Sequence, residues 1–428
     1  MPALVAAGAV LGGAAPMAAL ADLPRVEPPC SYDVQITAGP VVPPGYTAGL
    51  VPYCINNLGE VGGVATPLLS YFPFTWSPET GFEWVPLPPG VGEGKVVDMN
   101  DNGWLLVQSH VNWGGDRGFI VPPEGRATAQ WIEIPPQGAT GYSFVRAINN
   151  DNVVVGHRTS ASAPPGSIQP YVGFVWSPGT GLVDVAIDAA GNPSSGLFRI
   201  NDAGMMLGWS SMTGFPTFKT VTHILDDDEV VTLDSEVEGA GMLPAALATS
   251  GVSVVTERVP EPEFFAMLRS YVVRDGVIEC ELPVLPPQLW ALVAGVNSSG
   301  VAVGESVDPG ASPITHVGTV WFDGVPYAAK NLPGFPPGPL PNIFSVYDIN
   351  EKGQMVGWIP SGGNLVLMTP NGQIGDLDCD GLVGPADLAT FLGAWGQEGT
   401  RADWDGSGIV DGADLGLLLA AWSSQKAG

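Results

Sequence analysis

CINNLGEVGG, residues 54–63, is the first of a set: DMNDNGWLLV follows at 98–107, AINNDNVVVG at 147–156, RINDAGMMLG at 199–208, GVNSSGVAVG at 295–304 and DINEKGQMVG at 348–357. A looser copy, ALATSGVSVV at 246–255, fills the one gap. The shared pattern is an apolar residue, Asn, two polar or small residues, Gly and an apolar run. With the Asn as marker, the copies stand at Asn56, Asn100, Asn149, Asn201, Ala248, Asn297 and Asn350, in steps of 44, 49, 52, 47, 49 and 53 residues. Repeats of that length are the signature of propeller blades. Asn beside Asp, Asn or Ser hydrogen-bonds its own backbone in a turn, and Gly takes the positive φ that closes a short hairpin. Each marker is therefore expected between two strands, as a turn residue and not as a ligand-binding one.

About twenty residues after most markers stands a second pair of β-rich runs around a turn, as in FTWSPETGFEWVPL from Phe74, FVWSPGTGLVDV from Phe174 and TVWFDGVPYAAKNL from Thr319. Aromatic and β-branched residues suit a half-buried pleated surface, and Ser-Pro-x-x-Gly supplies a tight turn. Four strands per unit follow. A lone four-stranded blade cannot cover its faces, whereas seven in a ring can. The fold class expected is mainly β: a seven-bladed β-propeller over 22–374, followed by a small α-helical calcium-binding module over 375–424 and a tail at 425–428. The last blade runs out of sequence before a fourth strand, so Tyr32 to Ile36 are expected to supply it and close the ring. Val107, Asn152 and Ala248 depart from the pattern, and blades two, three and five are expected to be the less regular ones.

Composition agrees with a packed, turn-rich fold. Gly 58 and Pro 42 punctuate a chain that is 45% hydrophobic with 13 Trp, and 428 residues exceed the usual single domain. Acidic residues outnumber basic ones 43 to 15, a formal charge of −28, which repels nucleic acid and anionic lipid surfaces. Neither is an expected partner. The four cysteines, Cys30, Cys54, Cys280 and Cys379, form no Cys-x-x-Cys pair, so the only pairing they suggest is a disulfide such as Cys30 to Cys54. Residues 1–21 are uncharged, apolar or small, and end in Ala19-Leu20-Ala21, the pattern of a cleaved signal peptide. They lack a basic start, which leaves a membrane anchor as the alternative; no other stretch reaches ~20 apolar residues. The chain is expected to be secreted or held at the cell surface.

From Asp376 the composition changes. Asp376, Asp378 and Asp380 alternate, Gly381 follows, and Asp387 stands at position 12 of the loop. Carboxylates at 1, 3, 5 and 12 with the Leu382 carbonyl at 7 make the oxygen cage of a calcium loop. The arrangement returns 27 residues later as Asp403, Asp405, Ser407, the Ile409 carbonyl and Asp414, with Asp411 at position 9 available directly or through water. Two calcium ions are implied. Each loop runs into a helix with an apolar stripe at i, i+3, i+4, i+7: Leu388, Phe391, Leu392 and Trp395, then Leu415, Leu418, Leu419 and Trp422. The stripes should pack on each other, with both tryptophans in the core.

Two resemblances rest on these residues. The marker repeats, over about 54–374, resemble the bacterial extracellular HAF repeat, which implies an exported propeller and no particular catalysis. The duplicated loop-helix of 375–424 resembles the type I dockerin, which implies that the listed positions are calcium ligands and that the module docks onto a cohesin-like or other surface protein, in assemblies concerned with polysaccharide breakdown. Where dockerins offer a hydroxyl pair at loop positions 10 and 11, this chain has Pro385-Ala386 and Gly412-Ala413, so a receptor would read apolar shape instead.

No common hydrolase signature is present: four scattered histidines, His110, His157, His223 and His316, with no His-Glu-x-x-His and no Gly-x-Ser-x-Gly. GVGEGK at 90–95 is one residue short of a phosphate loop and reads as a connection between blades. Asp226-Asp227-Asp228-Glu229 reads as a solvated hairpin turn. The reading is a non-catalytic binding or scaffolding propeller with a glycan as its candidate ligand. The alternative is an extracellular carbohydrate-active enzyme, a hydrolase or lyase, with its site at the propeller mouth.

Overall fold

The computed structural model describes residues 28–42, 46–66, 70–111, 115–136, 141–160, 170–185, 187, 194–212, 219–226, 229–260, 266–335, 345–371, 374–379, 382–397, 402, 404 and 409–425. The candidate signal segment lies outside them, and among them no helix is long and apolar enough to cross a membrane.

Seven four-stranded antiparallel sheets follow one another along the chain. Their innermost strands are Gly49–Ile55, Lys95–Met99, Ser143–Ile148, Ser194–Ile200, Gly241–Leu247, Trp290–Val296 and Ser345–Ile349. Each touches the innermost strand of the next blade, and Ser345–Ile349 touches Gly49–Ile55. The fold is a closed seven-bladed propeller. The closing strand is as expected: Ser31–Thr37 pairs antiparallel with Asn364–Asn371, Tyr32 opposite Pro370 and Ile36 opposite Val366. It is the outermost strand of blade 7.

Apolar side chains from the facing sheets of neighbouring blades interdigitate at all seven junctions. Blade 7 meets blade 1 through Val356, Leu365 and Leu367 against Leu50, Val61 and Phe74, and blade 6 meets blade 7 through Val303, Val320 and Phe322 against Val346, Met355 and Tyr32. The other five junctions are built alike. Burial of apolar area on both faces of every sheet is what a single blade cannot achieve, so the ring is the smallest stable unit of this repeat.

The marker turns are regular in all seven blades, including the three with departures. In blade 1 the Asn56 N–H donates to the Glu60 carbonyl and the Gly59 N–H to the Asn56 carbonyl, and blade 5 keeps both bonds with Ala248, Val252 and Gly251. The residue that closes the turn has positive φ throughout: Gly59 at 83°, Gly251 at 89°, and Asn152 at 60° in blade 3. Asparagine is the non-glycine residue that tolerates this region best, so the departure is conservative. Val107 lies inside its strand and disturbs nothing. The acidic run of blade 4 is a hairpin turn, with Asp226 opposite Glu229; Asp227 and Asp228 lie outside the described residues.

After the propeller in the chain, helices Pro385–Gly393 and Gly412–Gln425 pack through Leu388, Phe391, Leu415, Leu418 and Trp422, with Leu377, Val383 and Val410 from the loops. The stripes are not buried to their full length. Trp395 is 48% exposed, and Leu392 and Leu419 are also exposed; Phe391 is covered from two sides, by Trp404 stacked on its face and by Trp395 edge-on, each at 5.7 Å between centroids. A disulfide joins Cys30 to Cys379, correcting the Cys30 to Cys54 pairing considered from sequence. Cys54 is buried on the innermost strand of blade 1, whereas Cys30 precedes the outermost strand of blade 7, so the width of a blade separates them.

Candidate functional site

Two places gather functional groups: the propeller lumen and the first C-terminal loop.

The lumen is shaped by one repeated irregularity. Every innermost strand carries a β-bulge three residues before its marker, at Tyr53, Val97, Arg146, Phe198, Ala245, Ala294 and Tyr347. A bulge breaks the two-residue alternation, so two successive residues turn to one side. The second of each pair, Cys54, Asp98, Ala147, Arg199, Ala246, Gly295 and Asp348, lines a polar cavity of about 170 Å³. The residues between bulge pair and marker, such as Ile55, Met99, Ile148 and Ile349, return to the core.

The marker asparagines sit just above and stitch the blades together. The side-chain nitrogen of Asn56 donates to the Asn100 carbonyl, Asn100 to Asn149, Asn149 to Asn201, Asn201 to Ala248, and Asn350 back to Asn56, over 2.8 to 3.3 Å. Each Oδ1 accepts the N–H four residues on, as in Asn56 from Glu60 and Asn297 from Val301. The architectural role is thus larger than a turn: the asparagines connect consecutive blades. Ala248 cannot contribute, and Ala248→Asn would restore an acceptor for the Val252 N–H and a donor toward blade 6. We expect a gain of about 1 kcal/mol, seen as a raised urea midpoint with unchanged slope. A lower midpoint would show that the position lacks room.

One residue beyond the markers is a polar rim. Asp101 accepts from the Asn57 backbone and side chain at 2.7 and 3.1 Å, Asp202 from those of Asn150 at 2.7 and 2.9 Å, and Glu351 from the Thr249 and Ser298 N–H groups. Its carboxylates hold the blade tops in register.

Deeper in, Asp98 Oδ2 accepts from the Ile148 N–H of blade 3 at 2.8 Å, and Asp348 Oδ2 from the Ile55 N–H of blade 1 at 3.0 Å. Both are partly buried and line the lumen cavity. Burial pushes Asp98 up to about 6 and Asp348 up to about 7, against the pull of Arg199 and of these backbone donors. The folded values lie above those of the unfolded chain. The stabilisation they give is therefore complete below about pH 4 and is lost as pH rises through 6 and then 7. At about 1.4 kcal/mol per pH unit, ionisation opposes folding by on the order of 3 kcal/mol for Asp98 and 4 kcal/mol for Asp348. The melting temperature should fall between about pH 5 and pH 8, and Asp98→Asn and Asp348→Asn should each flatten that slope. A profile unchanged in both variants would assign the dependence elsewhere.

In the C-terminal module, the structure brings together Asp376, Asp378 and Asp387, whose carboxylate oxygens lie within 4.8 Å of one another. Asp387 is buried at the start of the first helix. Its Oδ1 accepts from the Leu377 and Asp378 N–H groups at 2.7 and 3.1 Å and its Oδ2 from Gly384 at 2.7 Å. Burial pushes this carboxyl up, but the backbone donors together hold it below the usual carboxylate value. Asp414 repeats the arrangement 27 residues on, accepting from Trp404 at 2.7 Å and Asp411 at 3.0 Å. Leu382 is 63% exposed, in keeping with a backbone role, and Ile409 is exposed. Asp411 turns its Oδ1 to the Ala413 N–H, 2.8 Å away, and caps the second helix. Asp380, Asp403, Asp405 and Ser407 lie outside the described residues.

The lumen residues were not singled out in the sequence. Counting back two and three places from each marker finds them, but only the bulge explains why those two places face inward.

No protein-family model and no curated protein matches the chain. Solved structures of similar fold include a prolyl endopeptidase, at 13% identity and TM-score 0.49 over 77% of this chain and 51% of that one. Puromycin hydrolase matches at 13% and 0.46 over 78% and 53%. The six-bladed fucose-recognising lectin of Aleuria aurantia matches at 10% and 0.36 over 73% and 99%. The chain spans about half the length of the first two. At these values the likeness concerns the propeller architecture and carries no argument about activity.

Proposed function

We propose that the chain is an exported, non-catalytic binding or scaffolding propeller carried on a calcium-dependent, dockerin-like docking module. The observation that carries this reading is the convergence of Asp376, Asp378 and Asp387. Oxygens bound to one calcium at 2.3 to 2.6 Å lie at most about 5 Å apart, so the three fit one ion. The Leu382 carbonyl and Asp380 would complete the first cage. Asp403, Asp405, Ser407, the Ile409 carbonyl and Asp414 would hold a second ion, with Asp411 in reserve. Calcium there neutralises clustered carboxylates and orders the loops ahead of both helices; it supplies no catalysis.

The Cys30–Cys379 disulfide supports export, since such bonds persist in oxidising compartments. Exposed Leu382, Leu392, Trp395 and Leu419 offer apolar contact to a cohesin-like or other surface protein, consistent with the absence of a hydroxyl pair. A role in extracellular polysaccharide utilisation follows from that resemblance. The enzyme alternative would use Asp98 and Asp348, whose raised values suit acid–base work. One oxygen of each is already bonded to the next blade, a structural role that favours binding. Titration of the intact chain with calcium, read by far-UV circular dichroism and tryptophan emission, tests the reading. It fails if nothing binds below about millimolar calcium, a weak limit for calcium loops, or if a glycan is turned over in an Asp98-dependent way.

A further inference from the structure

Of only 15 lysines and arginines, three, Lys95, Arg146 and Arg199, stand on the innermost strands of blades 2, 3 and 4, and Arg199 lines the lumen cavity beside Asp98 and Asp348. Arg117, Arg126, Arg158 and Arg274 are each ion-paired; these three have no carboxylate within ion-pair distance among the described residues. With 43 acidic residues in the chain, counter-charge is not scarce. The three cations lie against rings instead. Lys95 Nζ is 4.5 Å from the Tyr53 centroid, Arg146 is 5.4 and 5.5 Å from Phe144 and Phe198, and Arg199 is 4.5 Å from Phe198. The Arg146 Nε is buried without a hydrogen-bond partner. Burial and the neighbouring Arg199 lower Arg146 to about 10, and burial and Arg146 lower Lys95. The cluster is thus held together against its own repulsion.

The opposite wall of the lumen is bare. At the two inward-facing places of each bulge, blades 5 and 6 contribute only Ala245, Ala246, Ala294 and Gly295, and a Cβ on Gly295 would come within 2.8 Å of Asp348 Oδ1. The long cationic and aromatic side chains of blades 1 to 4 thus stand across the ring from short ones, while Asp348 Oδ1 fills the space beside Gly295. Tyr53 and Tyr347, 5.7 Å apart, add flat faces and hydroxyls beside Lys95.

The geometry points to a binding site for a sugar acid in the lumen, entered from the end where the innermost strands begin, with its carboxylate on Lys95 and Arg146 and its ring against the tyrosines. The inference rests on the binding reading above and names its ligand class. The cation pair selects the carboxylate, the rings take the C–H face of a pyranose, and the tyrosine hydroxyls suit its hydroxyl groups. The −28 charge of the chain repels a long polyanion, so the ligand is a monomer or a chain end.

The test is calorimetric titration of the intact chain with galacturonate and digalacturonate, and with galactose and sodium sulfate as the neutral and inorganic arms. Expected is binding of the acids alone, weakened at least tenfold in Arg146→Gln and in Lys95→Gln. Arg146→Lys should retain part of it. Should Arg146→Gln fold poorly by its melting curve, Lys95→Gln decides, because its side chain is half-buried at the start of its strand. Equal binding of galactose, equal binding of sulfate (an adventitious ion only), unchanged affinity in Lys95→Gln, or no acid bound at millimolar concentration would each overturn the assignment. A calcium titration of the same samples keeps such a failure distinct from failure of the docking module.

Discussion

Removing residues 28–38 is expected to open the ring at blade 7 and lower the melting temperature by more than about 10 °C. Seven paired residues are lost from the sheet edge, and with them Tyr32, buried to 4% exposure in the blade 6–7 core. The Tyr32 N–H also bonds the Pro333 carbonyl at 2.9 Å, outside the sheet. Truncating a buried aromatic costs about 3–5 kcal/mol by itself, and 1 kcal/mol moves a large domain by roughly 2–4 °C. Deletion also exposes Asn364–Asn371 as an unpaired edge whose apolar run Leu365–Met368 is buried in the native ring, an invitation to edge-to-edge association. Hydrogen exchange separates causes. In Cys30→Ser, which removes only the disulfide, the amides of Asn364–Asn371 should stay protected; in the deletion they should exchange as an edge. Unchanged protection in the deletion would mean that the ring closes through side-chain packing alone.

The second large effect is expected from Asp376→Ala combined with Asp403→Ala, the first ligand of each proposed calcium loop. Wild-type protein should gain stability in its C-terminal module with calcium, about 2.7 kcal/mol at a hundredfold excess over the dissociation constant. The double variant should gain none. Without metal, the clustered Asp376, Asp378 and Asp387 carboxylates repel one another across a core of two short helices, so chelation should reduce the helical signal of Pro385–Gly393 and Gly412–Gln425. Trp404, stacked on Phe391 at 5.7 Å, reports the change in emission. The propeller transition should be untouched, since its seven junction clusters contain no residue of the module. An equal calcium response in variant and wild type would remove the metal assignment and leave the module as a C-terminal cap stapled through Cys379.

Local periodicity made much of this protein legible. The spacing of Asn56, Asn100, Asn149, Asn201, Ala248, Asn297 and Asn350 determines the blade count, because each copy is a complete turn between two strands and a turn is written in adjacent residues. The shortage of sequence before the calcium module identified Tyr32 to Ile36 as the missing strand by the same counting, and the strand found is Ser31–Thr37. The candidate calcium positions are likewise local, twelve residues long, and their frame recurs at an interval of 27.

What the tertiary structure decided depends on residues far apart in the chain. Cys30 finds Cys379 across 349 positions, a choice no spacing rule contains. The inward aim of Asp98, Arg199 and Asp348 depends on bulges that shift the strand alternation by one, so a reading in steps of two assigns these residues to the wrong face. The marker asparagines reveal their second bond only when the next blade supplies a carbonyl, 44 to 52 residues on or, for Asn350, at the other end of the ring. A sequence repeats what each blade needs for itself. What the blades offer one another, and what their seven inner edges enclose, exists only once the ring has closed.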